Sequence, residues 1–258
     1  MATYAYAKCK SVLSRSRLPG LEYTFNPYVG CGHGCLYCYV PDLFRGRFPR
    51  WPARVEVKEG VLEKLRSEIR RLEPGIVGIS TSTDPYQPVE ADLRIVRGAL
   101  EIFKGAGFPV SIQTKSPLVL RDLDVLKGMD AEVGVTITSI SSEFRDKFEP
   151  GAPDPGSRFR AVEDLNRAGV KTWIFYGPII HGFNDSEEEI GSIAEVAAKT
   201  GSRLLYDRIN LKPLVSLRLK KILPGWAFDS IALFDYLRVY RMIRLRCREL
   251  GVACYPAF

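Results

Sequence analysis

Cys31-Gly32-His33-Gly34-Cys35-Leu36-Tyr37-Cys38 crowds three thiols into eight residues, directly after the strand-like run Tyr23–Asn26. Thiolates separated by three and then two residues can wrap one soft metal site from a single loop. Gly30, Gly32 and Gly34 let the backbone bend around it, with positive φ where the turn needs it. Iron–sulfur clusters are held by cysteine thiolates, and a complete site takes four. With three in the loop, one iron is left open for a ligand from outside the chain. The competing reading is a structural Cys3His zinc site closed by His33. Its ligand spacings are tighter than those of most zinc fingers and no second knuckle is present, so His33 reads as a spacer beside the cluster. Cys9, Cys247 and Cys254 lie far from this loop and read as small inert residues. Six cysteines in 258 residues are too few for a disulfide scaffold, which points to a metal in a reducing compartment.

Downstream of the loop, short β-branched runs alternate with amphipathic stretches. Strand-like runs occur at Ile76–Ser80, Val110–Thr114, Val133–Thr138, Lys171–Tyr176 and Leu204–Ile209, with Tyr23–Asn26 as the first. Helix-like segments lie near Val61–Leu72, Asp92–Gly105, Leu118–Gly128, Ser157–Ala168 and Ser186–Lys199. Val61, Leu65, Ile69 and Leu72 mark one buried helical face, and Ser186 with Glu189 forms a capping box. Six strands alternating with helices imply an α/β fold with a parallel sheet, open or closed into a barrel. In both, the site lies at the C-terminal ends of the strands. A basic stretch Lys212–Lys221, a long helix from about Asp229 to Leu250 and a tail Val252–Phe258 close the chain. The expected division is an N-terminal extension (1–22), a core (23–212) and a basic helical extension (213–258), packed as one domain.

Hydrophobic residues make up 46% and charged residues 26%, enough to bury a core. No run of 18 apolar residues predicts a membrane span, and the N-terminus lacks the apolar core of a signal peptide, so a cytoplasmic protein is expected. The net charge of +7 is unevenly placed: nine Lys/Arg against three Asp/Glu in residues 1–58, 17 against 23 in 59–200, and 11 against four in 201–258. Basic ends around an acidic middle suit a polyanionic partner or a plain solvated surface.

With Tyr37 before its last cysteine, the loop resembles the Cys-x3-Cys-x2-Cys signature of the radical S-adenosylmethionine (SAM) superfamily. That resemblance implies a partial (β/α)6 TIM-like barrel, here with a C-terminal helical extension. It implies a [4Fe–4S] cluster on Cys31, Cys35 and Cys38 whose open iron binds the methionine moiety of SAM. An external donor such as a ferredoxin or flavodoxin would supply one electron, giving a 5′-deoxyadenosyl radical that abstracts hydrogen from substrate. The stretches Asn26–Cys31, Ser80–Tyr86, Gln113–Ser116, Thr136–Thr138, Phe148–Pro153 and Gly177–Ile179 are similar to the branch of spore photoproduct lyase and DNA repair photolyase-like proteins. The resemblance implies that Tyr37 and Tyr39 line the reaction site. It puts Ser82, Thr83 and Thr136 against polar groups of the cofactor, Lys115 against its carboxylate, and the backbone of Tyr176 and Gly177 against the adenine. Asp84 reads as a turn residue, and His181 as a loop histidine within reach of substrate. One departure stands out: Thr81-Ser82-Thr83 holds no thiol where the lyase carries the cysteine that returns hydrogen. Tyr37, Tyr39, Tyr86 or a distal cysteine would then donate, or the reaction differs.

A nucleic-acid substrate follows from that branch and from the basic ends. Arg238, Arg241, Arg244 and Arg248 recur at helical spacing and can present cations to phosphates. Trp51 and Trp226, near Arg47, Arg50, Arg54 and Lys220–Lys221, offer rings for base stacking. The alternatives are radical modification of a peptide or small metabolite, or a non-catalytic zinc-bearing module that only binds nucleic acid.

Overall fold

The computed structural model describes residues 3–44, 52, 54–225 and 233–257. Arg47, Arg50, Trp51 and Trp226 lie outside the described residues. The strands in chain order are β1 (Thr3–Ala7), β2 (Leu13–Arg15), β3 (Tyr23–Phe25), β4 (Tyr28–Val29), β5 (Arg54–Lys58), β6 (Val77–Ile79), β7 (Val110–Thr114), β8 (Ala131–Thr136), β9 (Lys171–Ile179), β10 (Arg203–Arg208) and β11 (Cys254–Pro256). Eight of them form one sheet in the order β11-β10-β9-β8-β7-β6-β3-β2. All neighbours in it are parallel except β2, which runs antiparallel to β3. The six expected strands are all present. A seventh parallel strand, β11, comes from the tail Val252–Phe258, for which no strand was expected. The sheet ends on β2 and β11, which do not pair with each other, so it stays open.

The parallel run puts the C-terminal ends of β3 and β6–β10 at one end of the molecule, and every loop discussed below leaves from that end. Helices cover the sheet with the expected apolar faces. Val61, Leu65 and Ile69 are buried in helix Val61–Ile69, and Val96, Ala99, Leu100 and Phe103 in helix Ile95–Gly105. The expected helix from Asp92 is interrupted at Arg94, whose φ of 50° is left-handed. Pro117–Asp122 winds as a 3-10 helix before a short α-helical turn, Leu123–Leu126, where one helix was expected. The Ser186 cap is made, with Oγ accepting from Glu189 N at 3.1 Å. The capping box itself is not, because the Glu189 carboxylate is taken by Ser139 Oγ and by Ile140 N at 2.7 Å.

Both extensions join the core. β1 pairs with β5, and β5 with β4, in a three-stranded sheet beside the cysteine loop. Helix Pro213–Ile222 packs on the short helix Val40–Leu43, and helix Leu233–Glu249 packs on helix Glu187–Lys199. Among the described residues, no helix is long and apolar enough to cross a membrane.

Candidate active site

The cysteine loop leaves β3 and β4 and is tied down on several sides. Gly30 (φ 91°) and Gly34 (φ 62°) take the left-handed backbone expected of them; a Cβ on Gly30 would stand 2.8 Å from Arg54 O. The Gly30 carbonyl accepts from Thr83 Oγ1 at 2.5 Å and from Gln87 Nε2 at 3.3 Å. Gly32 N donates to Gln87 Oε1 at 2.9 Å. Leu36 N donates to Phe148 O at 2.8 Å, and Gly151 N to His33 O at 2.9 Å. Gly151 touches the loop so closely that a Cβ there would lie 2.5 Å from Gly32 O.

All three cysteines of the loop are free thiols, with Cys31 and Cys35 buried and Cys38 half-buried. Burial pushes the Cys35 thiol well up, against the opposing pull of Lys115, and pushes Cys38 up to about 11. Loading a metal here must therefore displace protons. Among the described residues, no three His, Cys, Asp or Glu side chains converge on a point that would hold a single ion. A cluster spreads its thiolates over separate irons, and three free thiols in one loop suit it. His33 is 2% exposed and its Nδ1 faces Asp84 Oδ2 at 3.4 Å, without hydrogen-bond alignment. Burial opposes charge on His33, but Cys31 and Asp84 outweigh it and raise the imidazole to about 10.

Glu149 is the hub between this loop and the strand ends. It is 1% exposed and accepts from Tyr37 OH, from Thr138 Oγ1 at 2.6 Å and from the guanidinium of Arg158, itself 1% exposed. Lys115 Nζ lies 3.9 Å from the same carboxylate and 5.6 Å from the centre of the Tyr37 ring. Burial would raise the Glu149 carboxyl, yet Lys115 and Arg158 prevail and hold it at about 2. Arg158 also donates to Pro153 O at 2.7 Å and Thr136 O at 3.4 Å. Helix Pro155–Arg167 thus pins the stretch Phe148–Pro153, which in turn pins the cysteine loop.

The other site residues expected from the sequence lie in or just after strands β6–β9. Lys115 directly follows β7 with its side chain 13% exposed, and its N donates to Asp84 Oδ2 at 2.8 Å. Asp84 does more than shape a turn: it also accepts from Thr114 Oγ1 at 2.7 Å and Tyr86 N at 2.9 Å. Burial works against its charge, and His33 with these donors brings the carboxyl down to about 2. Ser82 Oγ donates to Asn26 Oδ1 at 3.0 Å, so both Ser82 and Thr83 brace the cysteine loop with their hydroxyls. Thr136 Oγ1 accepts from Gln113 Nε2 at 3.2 Å. Tyr176 is buried with its OH on Asn184 O. Gly177 makes room for its own chain, since a Cβ there would sit 2.5 Å from the Phe175 ring. His181 Nδ1 lies 2.6 Å from Asp185 Oδ2 in the loop after β9.

Ser80, Glu149 and Arg158 did not stand out individually in the sequence. Ser80 directly follows β6 at φ 61°, buried with its Oγ unpartnered. A left-handed non-glycine residue at a strand end is the kind of strain that gathers at functional sites. Glu149 had a signal, the stretch Phe148-Glu149-Pro150-Gly151, but its partners come from four other segments.

Residues 25–194 match the family model described as Radical SAM superfamily. An uncharacterized protein of Methanocaldococcus jannaschii is 34% identical over 187 residues, which are 71% of this chain and 70% of that one. A radical SAM Nalpha-GlyT isomerase of Pseudomonas phage M6 is 26% identical over 180 residues, 68% of this chain and 37% of that longer protein. Among solved structures, spore photoproduct lyase complexed with dinucleoside spore photoproduct matches with a TM-score of 0.75 at 15% identity, over 99% of this chain and 82% of that one. A mutant of the same enzyme carries bound AdoMet. At such identity the likeness speaks for the fold: the open sheet is the partial barrel expected, and the match runs on through the C-terminal helices.

Proposed function

This chain belongs to the radical SAM superfamily, and from that premise we propose that it acts on a nucleic acid, abstracting hydrogen from a base or a base lesion. The family works with a [4Fe–4S] cluster and SAM, which together supply a 5′-deoxyadenosyl radical on one-electron reduction. Cys31, Cys35 and Cys38 would hold the cluster. Lys115, a cation within the strand-end loops, would take the cofactor carboxylate. Glu149 would fix Tyr37 and Lys115 relative to each other. The hydroxyls of Ser82 and Thr83 are engaged by Asn26 and Gly30, so their contribution is to the shape of the cysteine loop, with only their remaining lone pairs open to a cofactor.

The observation that carries the substrate class is the arginine row on helix Leu233–Glu249. Arg238, Arg241, Arg244 and Arg248 are exposed and have no carboxylate partner among the described residues, whereas Arg246 is paired with Glu195 at 2.7 Å and Glu249 at 3.2 Å. Tyr240 OH accepts from Arg208 N at 2.9 Å, which sets this part of the helix level with the C-terminal end of β10. Arg238 and Arg241 therefore stand at the height of the site. Arg248 lies seven residues further, roughly 10 Å toward the far end at 1.5 Å per residue. Such a row can follow a phosphate backbone away from a base held in the mouth. The dinucleoside spore photoproduct bound by the structurally similar lyase agrees with this class.

Tyr39 would return the hydrogen. Tyr37 is buried on Glu149, and Tyr86 is 1% exposed with its OH on Asp122 at 3.1 Å. Cys9 sits against Glu59 and Lys64, while Cys247 and Cys254 lie in the last helix and last strand. Tyr39, next to Cys38 and 43% exposed, is the one of these groups open to a substrate at the mouth. The test is anaerobic turnover with oligonucleotides deuterated at single base positions, intact or ultraviolet-irradiated. Deuterium should appear in 5′-deoxyadenosine from one position, and Tyr39→Phe should leave that transfer intact while lowering product yield. Label that stays in every oligonucleotide while a peptide or metabolite stimulates cofactor cleavage would move the substrate to those classes.

A further inference from the structure

Arg218 belongs to helix Pro213–Ile222, beyond the residues matched by the family model, yet it reaches the cysteine loop. Leu214 N donates to Asp42 Oδ1 at 2.9 Å and docks this helix on the turn that follows Cys38. From there Arg218 donates through Nη2 to the carbonyl oxygen of Cys38, and its Nε–H is buried with no partner. An unmade hydrogen bond on a desolvated cation is costly, and native structures keep few of them. A neutral thiol at Cys38 gives the guanidinium little to bind. A thiolate and the sulfides of a cluster give it both a charge and acceptors.

We propose that Arg218 is a positioning residue for the cluster, holding the Cys38 carbonyl and placing its charge and free N–H beside the cluster's sulfur atoms so that the cluster is easier to reduce. The proposal rests on the reading that Cys31, Cys35 and Cys38 carry a [4Fe–4S] cluster. Reduction adds one electron to a site that is already anionic with three thiolates. A fixed cation therefore stabilises the reduced form more than the oxidised one, and hydrogen bonds to the sulfurs act in the same direction. Asp42 offsets part of this field, with its Oδ1 on Leu214 N and its Oδ2 buried without a hydrogen-bond partner, while Arg218 is the group that touches the ligand residue. One unit charge roughly 6 Å away, at an effective dielectric of about 40 for a half-exposed guanidinium, changes an equilibrium constant by about ten-fold. On this account the C-terminal extension does more than cover the barrel edge, since it adds a second cation beside a loop that the matched core already faces with Lys115.

The experiment compares wild type, Arg218→Gln and Arg218→Lys after anaerobic reconstitution with iron and sulfide. Each is titrated with dithionite in the presence of mediators and followed by electron paramagnetic resonance. At the potential where the wild-type cluster is half reduced, Arg218→Gln should show a reduced-to-oxidised ratio about ten-fold lower, equivalent to about 59 mV for one electron. Arg218→Lys keeps the charge and should stay within about three-fold of wild type. A fully loaded Arg218→Gln protein with the wild-type ratio would overturn the proposal, as would Arg218→Lys shifting as far as Arg218→Gln. If Arg218→Gln holds no iron, Arg218→Lys decides: a wild-type ratio upholds the proposal, and loss of iron there too reduces Arg218 to a strut. Wild type without iron and sulfide would instead undo the cluster assignment, before Arg218 is tested at all.

Discussion

Breaking the Glu149–Arg158 pair should unfold the protein far more easily than an ordinary surface change. Both side chains are 1% exposed, so removing either partner leaves the other charge in a medium that solvates it poorly. Breaking a buried pair in this way costs about 3–5 kcal/mol. Arg158→Met should fall at the lower end, because Lys115 still stands 3.9 Å from Glu149 and partly replaces the lost cation. Glu149→Gln should fall at the upper end, because it strands Arg158 on carbonyl oxygens alone and takes the anion from Lys115 as well. The double change Glu149→Gln with Arg158→Met removes both charges and should cost at least about 2 kcal/mol less than the sum of the singles. The assay is urea and thermal unfolding of the metal-free protein without oxygen. For a chain of this size 1 kcal/mol is about 2–4 °C, so the singles should melt roughly 6–20 °C early. The pH dependence adds a check. The Glu149 carboxyl is held at about 2, below its ordinary 4.5, so its contribution is present above pH 4.5 and lost as the pH falls toward 2. The gap between wild type and Glu149→Gln should therefore shrink from pH 7 to pH 3. Single costs below about 1 kcal/mol, additive costs or a gap indifferent to pH would refute the reasoning.

Gly151→Ala places a Cβ 2.5 Å from Gly32 O and 2.9 Å from His33 O, both backbone atoms. It should cost about 1–3 kcal/mol as an overpacking change and lower the iron retained after reconstitution; wild-type iron content would show that the loop does not depend on this contact. Lys115→Ala should keep the cluster and weaken SAM binding by about 1–3 kcal/mol, the scale of a charge-assisted hydrogen bond, so calorimetry with unchanged affinity removes it from the cofactor site. Arg241→Ala with Arg244→Ala should weaken binding to DNA or RNA and flatten the log–log salt dependence by about one per lost contact, leaving cluster absorbance alone. An unchanged slope would take the helix out of the interface.

The parts of the fold that were legible in the sequence are those whose signal is local. Most of the six parallel strands are apolar runs rich in β-branched residues, and the cysteine loop carries its chemistry within eight positions. β5 carries a local signal too, the alternation Arg54-Val55-Glu56-Val57-Lys58 with both valines buried. β11 had none: Cys254-Tyr255-Pro256 is three residues long, and its strand character comes from pairing with Leu204–Tyr206 some fifty residues earlier. At the site, the residues that bear chemistry were legible and those that brace them were not. A hydroxyl such as that of Thr83 looks the same in sequence whether it faces a cofactor or a carbonyl, and only tertiary contact assigns it to Gly30. Glu149 sat in a noted stretch, but its function depends on Tyr37, Lys115, Thr138 and Arg158 meeting at one carboxylate.

The central claim is that three thiols of one loop make this protein a SAM-cleaving enzyme. The most direct measurement is 5′-deoxyadenosine formed per protein, by liquid chromatography, after anaerobic reconstitution and reduction with dithionite in the presence of SAM. Wild type should form it, and Cys31→Ala, Cys35→Ala and Cys38→Ala should each form none, because a cluster with two protein thiolates is underligated. Wild-type formation by the Cys35→Ala protein, or none by a wild type that carries its full iron and sulfide, would contradict the account.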